Sequence, residues 1–128
     1  MIVLDASAAV DWLLRTSTGQ RIEHFIYSRK ETLHAPHLLD LEVTQVLRRL
    51  ERQKVVSATR ADQAIHDLLD LRITRYPPLE LLPRIWQLRH TVSTYHAAYI
   101  ALAERLGAAL VTRDARLAAA SPHTAAIE

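Results

Sequence analysis

The sequence predicts an α/β domain in which a parallel sheet is covered by helices. Three observations carry this: short apolar runs suited to buried strands recur along the chain, helical patterns separate them, and 128 residues are enough for one real core. Residues 1–128 therefore read as a single domain, with no repeat, linker or low-complexity segment.

The elements follow in order. MIVLD at 1–5 is the first strand, and a helix begins near Ser7, whose hydroxyl can cap it. A second helix covers about 18–30. TLHA at 32–35 is a weaker strand, and the third helix is expected to start at Pro36, because a first-turn N–H has no partner to lose. A fourth runs from Ser57 to about Leu71. ITRY at 73–76 is strand-like, and Pro77 and Pro78 break the chain before a helix over about 79–91. The stretch TYHAAYIALAERLG at 94–107 is a helix capped by Ser93 and stopped by Gly107. AALVT at 108–112 is the next strand, and TAAI at 124–127 a weaker last one.

Composition removes several classes of chemistry. The chain has no cysteine, so thiolate metal sites, disulfides and cysteine nucleophiles are excluded, as fits a cytoplasmic protein. Its two glycines cannot write GxGxxG or GxxxxGK[ST], which removes the nucleotide-binding loops. The opening MIVLDASAAV has no cationic start and carries Asp5 inside its apolar run, so it reads as neither signal peptide nor membrane span. Net charge is +2, yet 14 of the 16 Lys and Arg residues are Arg, whose planar fork suits phosphate and carboxylate.

Asp5 and Asp114 stand at carboxyl ends of predicted strands, the edge at which open parallel sheets bind ligands. Each could instead cap the following helix. Glu42 lies at the edge of a core-facing stripe of Leu39, Val43, Val46, Leu47 and Leu50, so it is either half of a buried ion pair or a metal or catalytic carboxylate. Asp11 and Asp40 read as solvated; Asp40 lies about 200° around the helix from Glu42. His96 occupies the third position of its helix, where the macrodipole favours an anion, and shares a face with Tyr99, Ile100 and Ala103. His34 and His37 have a chelating spacing but no partners. His24, His66, His90 and His123 read as surface or packing residues. Trp12, Leu13 and the apolar positions of the second helix face either the core or a partner.

VLDASA at 3–8, HAPHLLDLEVTQVL at 34–47, YHAAYIALAERLG at 95–107 and LVTRDARLA at 110–118 together resemble the PIN-domain family, and within it the VapC-like toxins of toxin–antitoxin pairs. The resemblance implies a five-stranded parallel sheet in the order 3-2-1-4-5 and a Mg²⁺- or Mn²⁺-dependent endoribonuclease site. It implies a toxin that pairs with a VapB-like antitoxin, cleaves RNA, forms a homodimer and needs no membrane. By the same resemblance Asp5, Glu42 and Asp114 are catalytic acids, with Asp5 and Asp114 as metal ligands, Glu42 reaching the metal through water, and Ser7 and Thr112 in support. The family's remaining acid is the Asp of a YDAAY-like motif; here that position is His96, a nitrogen ligand or water-positioning group. Arg113 and Arg116 flank Asp114 and are candidates for RNA phosphate. Replacing an acid by His also admits a weakened or inactive domain, natural or engineered, that keeps antitoxin or RNA binding.

Overall fold

The computed structural model describes residues 1–122 and 124. Four parallel strands, β1 (Ile2–Leu4), β2 (Leu33–Pro36), β3 (Ile73–Tyr76) and β4 (Ala109–Val111), lie in the order β3-β2-β1-β4. Register is fixed by Ile2 opposite both Leu33 and Ala109, and by Leu33 opposite Ile73. The chain builds outward from β1 to β3 on one side, then crosses to place β4 on the other. The β1–β4 junction is thus the point where strand order reverses; β1 ends directly before Asp5, and β4 ends three residues before Asp114.

The sheet is one strand narrower than expected among the described residues. Beyond β4 only Thr124 bridges, to Leu110 in parallel. The rest of TAAI, at 125–127, and His123 lie outside the described residues.

The helices are α1 (Ala6–Leu13), α2 (Ser17–Ser28), α3 (Leu38–Arg52), α4 (Ala58–Asp70), α5 (Leu82–Gln87), α6 (Thr94–Leu106) and α7 (Ala115–Ala120). α1 packs on α2, α3 and α4, while α6 lies against β1, β2 and β4 with α5 beside it. Trp12, Leu13, Ile22 and Ile26 are buried, so the stripe of α1 and α2 serves the core. In α6 every residue from Ala97 to Ala103 is buried. Four of these seven are alanine, which lets the helix sit close to the sheet. Ser93 caps it and Gly107 closes it at φ 60°, as the sequence predicts. Gly19 has a different reason: a Cβ there would stand 1.9 Å from the Asp11 carbonyl oxygen where α2 crosses α1.

Three boundaries differ from expectation. Asp5, not Ser7, caps α1. Pro36 ends β2 instead of opening α3. The His37 N–H donates to Tyr76 O on the β3 side, so position 36 directs its nitrogen the other way, where pairing with β1 has already ended at His34. The expected helix over 79–91 is a 3₁₀ turn at Leu79–Leu81 followed by the short α5, with Pro83 in its first turn.

Candidate active site

Asp5 is 4 % exposed at the carboxyl end of β1. Its Oδ1 accepts from Ala8 N at 2.9 Å and Ser7 Oγ at 2.8 Å. Its Oδ2 accepts from Thr112 Oγ1 at 2.5 Å. Both hydroxyls also receive backbone amides from the other strand end: Arg113 N donates to Ser7 Oγ at 2.8 Å and Asp114 N to Thr112 Oγ1 at 2.9 Å. Ser7 and Thr112 thereby tie the end of β4 to the end of β1. Burial pushes the Asp5 carboxyl above its ordinary range; the bonds from Thr112, Ala8 and Ser7 pull it back, and the charge of Asp114 pushes it up again.

Asp114 caps α7, its Oδ1 accepting from Arg116 N at 2.9 Å and Leu117 N at 3.2 Å. Oδ2 stands 3.2 Å from His96 Nε2. Helix capping and a place in the pocket are therefore compatible for both aspartates. His96 comes from the first turn of α6, its N–H donating to Ser93 Oγ.

Glu42 has no guanidinium partner among the described residues. Its Oε1 accepts the Tyr99 hydroxyl at 2.6 Å instead, and Tyr99 is 1 % exposed. Burial raises the Glu42 carboxyl, the Tyr99 bond lowers it, Asp5 raises it and His96 lowers it. Tyr99 in turn is held far above the ordinary phenol range, first by burial and then by Glu42. Tyr99 is the site residue that sequence reasoning missed; its signal was a tyrosine one turn beyond His96 on an inward face, since a buried phenol needs an acceptor.

Asp5, Glu42, His96 and Asp114 line one cavity of 650 Å³, together with Ser7, Tyr95 and Tyr99. Other expectations are redirected. Asp11 is not solvated: it accepts from Thr16 Oγ1 at 2.8 Å and pairs with Arg113 at 2.8 Å. Arg113 is thus held on Asp11, whereas Arg116 stays exposed. Asp40 is bound by Arg75 through two bonds of 2.6 and 2.9 Å, away from Glu42. His34 is buried between Thr32 and Tyr76, at 2.9 and 2.7 Å, while His37 is exposed, so the two do not chelate.

As a donor set the cavity offers hard carboxylate oxygens and one imidazole, which suits a small divalent cation that keeps several waters and takes one or two carboxylates directly. Burial raises the carboxyls of Asp5 and Glu42 first, and a neighbouring carboxylate adds to each, Asp114 to Asp5 and Asp5 to Glu42, a charge that a cation would offset. Among the described residues, however, no three such side chains are already gathered around one point. The residues fit a cation bound largely through water, not a dry cage.

Fold and site together define an α/β protein with an acidic pocket at the sheet's reversal point. The PIN domain model matches residues 2–121. The chain belongs to the PIN-domain family and, within it, to the VapC-like group. It is 43% identical over 117 residues to VapC ribonuclease Mb0985 of Mycobacterium bovis, covering 91% of this chain and 88% of that one. It is 40% identical to ribonuclease VapC12 of Mycobacterium tuberculosis, covering 100% and 98%. Among solved structures, PAE2754 from Pyrobaculum aerophilum superposes with a TM-score of 0.73 at 26% identity, covering 96% of this chain and 81% of that one. The sarcin-ricin loop cleaving toxin VapC20 of Mycobacterium tuberculosis gives 0.67 at 17% identity over 94% and 95%, a likeness of fold.

Proposed function

We propose that this protein is a divalent-metal-dependent endoribonuclease, the cytoplasmic toxin of a toxin–antitoxin pair, which acts as a homodimer and is restrained by a VapB-like antitoxin. The observation that carries this reading is the convergence of Asp5, Glu42, His96 and Asp114 on one cavity at the sheet's reversal point. The names of the VapC relatives support it. No helix among the described residues is long and apolar enough to cross a membrane.

Asp5 and Asp114 would hold Mg²⁺ or Mn²⁺, with Glu42 joined through water and His96 as a nitrogen neighbour; the ion would neutralise charge on the phosphodiester and acidify a nearby water. Ser7 and Thr112 aim the Asp5 carboxylate and offset part of the cost of burying it. Tyr99 fixes one oxygen of Glu42, leaving the other to orient water. Arg116 meets RNA phosphate, a role that Arg113 shares only by releasing Asp11.

One contact favours the alternative of a weakened nuclease that retains antitoxin or RNA binding: the imidazole stands 3.2 Å from Asp114 Oδ2 and competes with a cation for that oxygen. A single experiment weighs the two. Purified protein, Asp5→Ala and His96→Asp are incubated with structured RNAs in Mg²⁺ and in Mn²⁺. Cleavage by the parent, stronger in Mn²⁺ and abolished by Asp5→Ala, is the expected result. Cleavage by His96→Asp alone would identify a disabled nuclease, and cleavage unaffected by Asp5→Ala would defeat the assignment.

A further inference from the structure

His96 separates two cavities of opposite character. The acidic one is described above. Behind it lies a hollow of 760 Å³ whose lining includes Arg89, His90, Ser93, His96 and Arg116 and no carboxylate. Arg116 makes no ion pair among the described residues. Arg89 lies over the Trp86 ring at 4.5 Å and donates Nη1–H to the Trp86 carbonyl at 2.9 Å, which leaves its Nε–H and Nη2 edge for another acceptor. Trp86 itself is 67% exposed.

We propose that this basic hollow holds the RNA strand beside the cleaved bond, with a flanking phosphate between Arg89 and Arg116 and the adjacent base against the Trp86–Arg89 pair. The inference rests on the nuclease reading and extends it to substrate path. Guanidiniums supply the fork that phosphate oxygens accept. An exposed indole covered by a guanidinium plane is a stacking surface for an unpaired base. The three carboxylates of the first cavity outnumber its one guanidinium, Arg49, and repel the polyanion it must cut, so a neighbouring cationic surface adds the missing binding strength. The shared residue His96 puts that surface within the same strand's reach. The aromatic component argues for nucleic acid over an acidic protein segment.

The test is binding of a fluorescein-labelled single-stranded oligouridylate by the intact protein in EDTA, read by anisotropy and by tryptophan fluorescence. Arg89→Gln combined with Arg116→Gln should weaken binding about tenfold or more. The slope of log Kd against log salt should fall by about 0.7, for the one phosphate no longer neutralised. Arg52→Gln, on exposed α3 surface, should match the parent, and thermal melts confirm that all variants fold. RNA should quench tryptophan emission, and Trp86→Phe should remove that quenching, since Trp12 is only 8% exposed. Unchanged affinity and slope in the double Arg variant would overturn the proposal. So would polyglutamate that binds as tightly as RNA with the same arginine dependence, which would point to an acidic protein partner. Cleavage in Mn²⁺ is scored in parallel: arginine-dependent binding without cleavage sinks the nuclease reading alone, and cleavage with arginine-independent binding sinks this one alone.

Discussion

Removing the Tyr99 hydroxyl should cost stability in a way that depends on the charge of Glu42. The bond is 2.6 Å long and its donor is buried. A hydrogen bond to a charged group contributes about 1.5–3 kcal/mol, and one to a neutral group about 0.5–1.5. Glu42 is half-buried beside a cavity that water can enter, so the lower end of the first range applies, about 1.5–2 kcal/mol at pH 7 for Tyr99→Phe. For a domain of this size that lowers Tm by about 5–8 °C. In a Glu42→Gln background the phenol still donates, but to a neutral carbonyl, so the same substitution should cost about 1 kcal/mol less. The pH dependence has a definite sign. Glu42 is raised in the folded state, so its protonation favours folding, and that contribution is present below the ordinary glutamate pKa and lost as pH rises through the folded value. Tyr99 moderates the loss, and its removal should steepen it. Thermal unfolding of the four proteins of the cycle, from pH 4 to pH 8 in EDTA, measures all of this. Equal costs of Tyr99→Phe in both backgrounds and at both ends of the pH range would refute the assignment of Tyr99 as the partner of the Glu42 charge.

Three further outcomes are expected. His34 is lowered by burial first and by the chain's amino terminus second, so the unfolded state takes up its proton before the folded state does; stability should therefore fall as pH drops below about 6.5, and His34→Gln should flatten the curve there in thermal melts. Gly19→Ala must displace backbone, because its Cβ would meet the Asp11 carbonyl at 1.9 Å; a loss of about 1–3 kcal/mol or more is expected in urea unfolding, and a neutral result would mean that α1 and α2 separate freely. Mn²⁺ should raise the parent's Tm more than Mg²⁺ does, and His96→Asp should gain chiefly in Mg²⁺, each shift growing with metal concentration as binding linkage requires; identical shifts in both proteins would remove residue 96 from the metal's surroundings.

The parts of the fold legible in sequence are those decided locally. ITRY forms β3 over the same four residues, and the boundaries of α6 follow from Ser93 and Gly107, whose roles depend on their own backbone and nearest turn. Pro36 was misplaced because its tolerance depends on where β1 stops, a fact held by another strand. Among the described residues the sheet has four strands where the resemblance implies five, and the candidate run for the fifth lies mostly outside them. In the site, Asp5 and Asp114 announced themselves by position at strand ends and Glu42 by its place on an apolar stripe. Their partners did not. Tyr99 is 57 residues from Glu42 and Arg113 is 102 from Asp11, and nothing in a local pattern pairs them. For Glu42 the sequence calls for a positive partner, an arginine or a metal, and the described residues supply a neutral phenol instead.

The burial of α6 from Ala97 to Ala103 has a consequence for how such a site can change. These positions are enclosed by sheet and helix, and almost any exchange there would add or remove packed volume. Residue 96 is the first to emerge, at the rim of the cavity, where its side chain meets Asp114 and supports nothing in the core. Of the residues this helix gives to the cavity, Tyr99 is thus bound into the core as well as to Glu42, whereas His96 stands at the rim. A side chain at position 96 can therefore be exchanged with little change in packed volume, while an exchange at 97–103 alters the core itself.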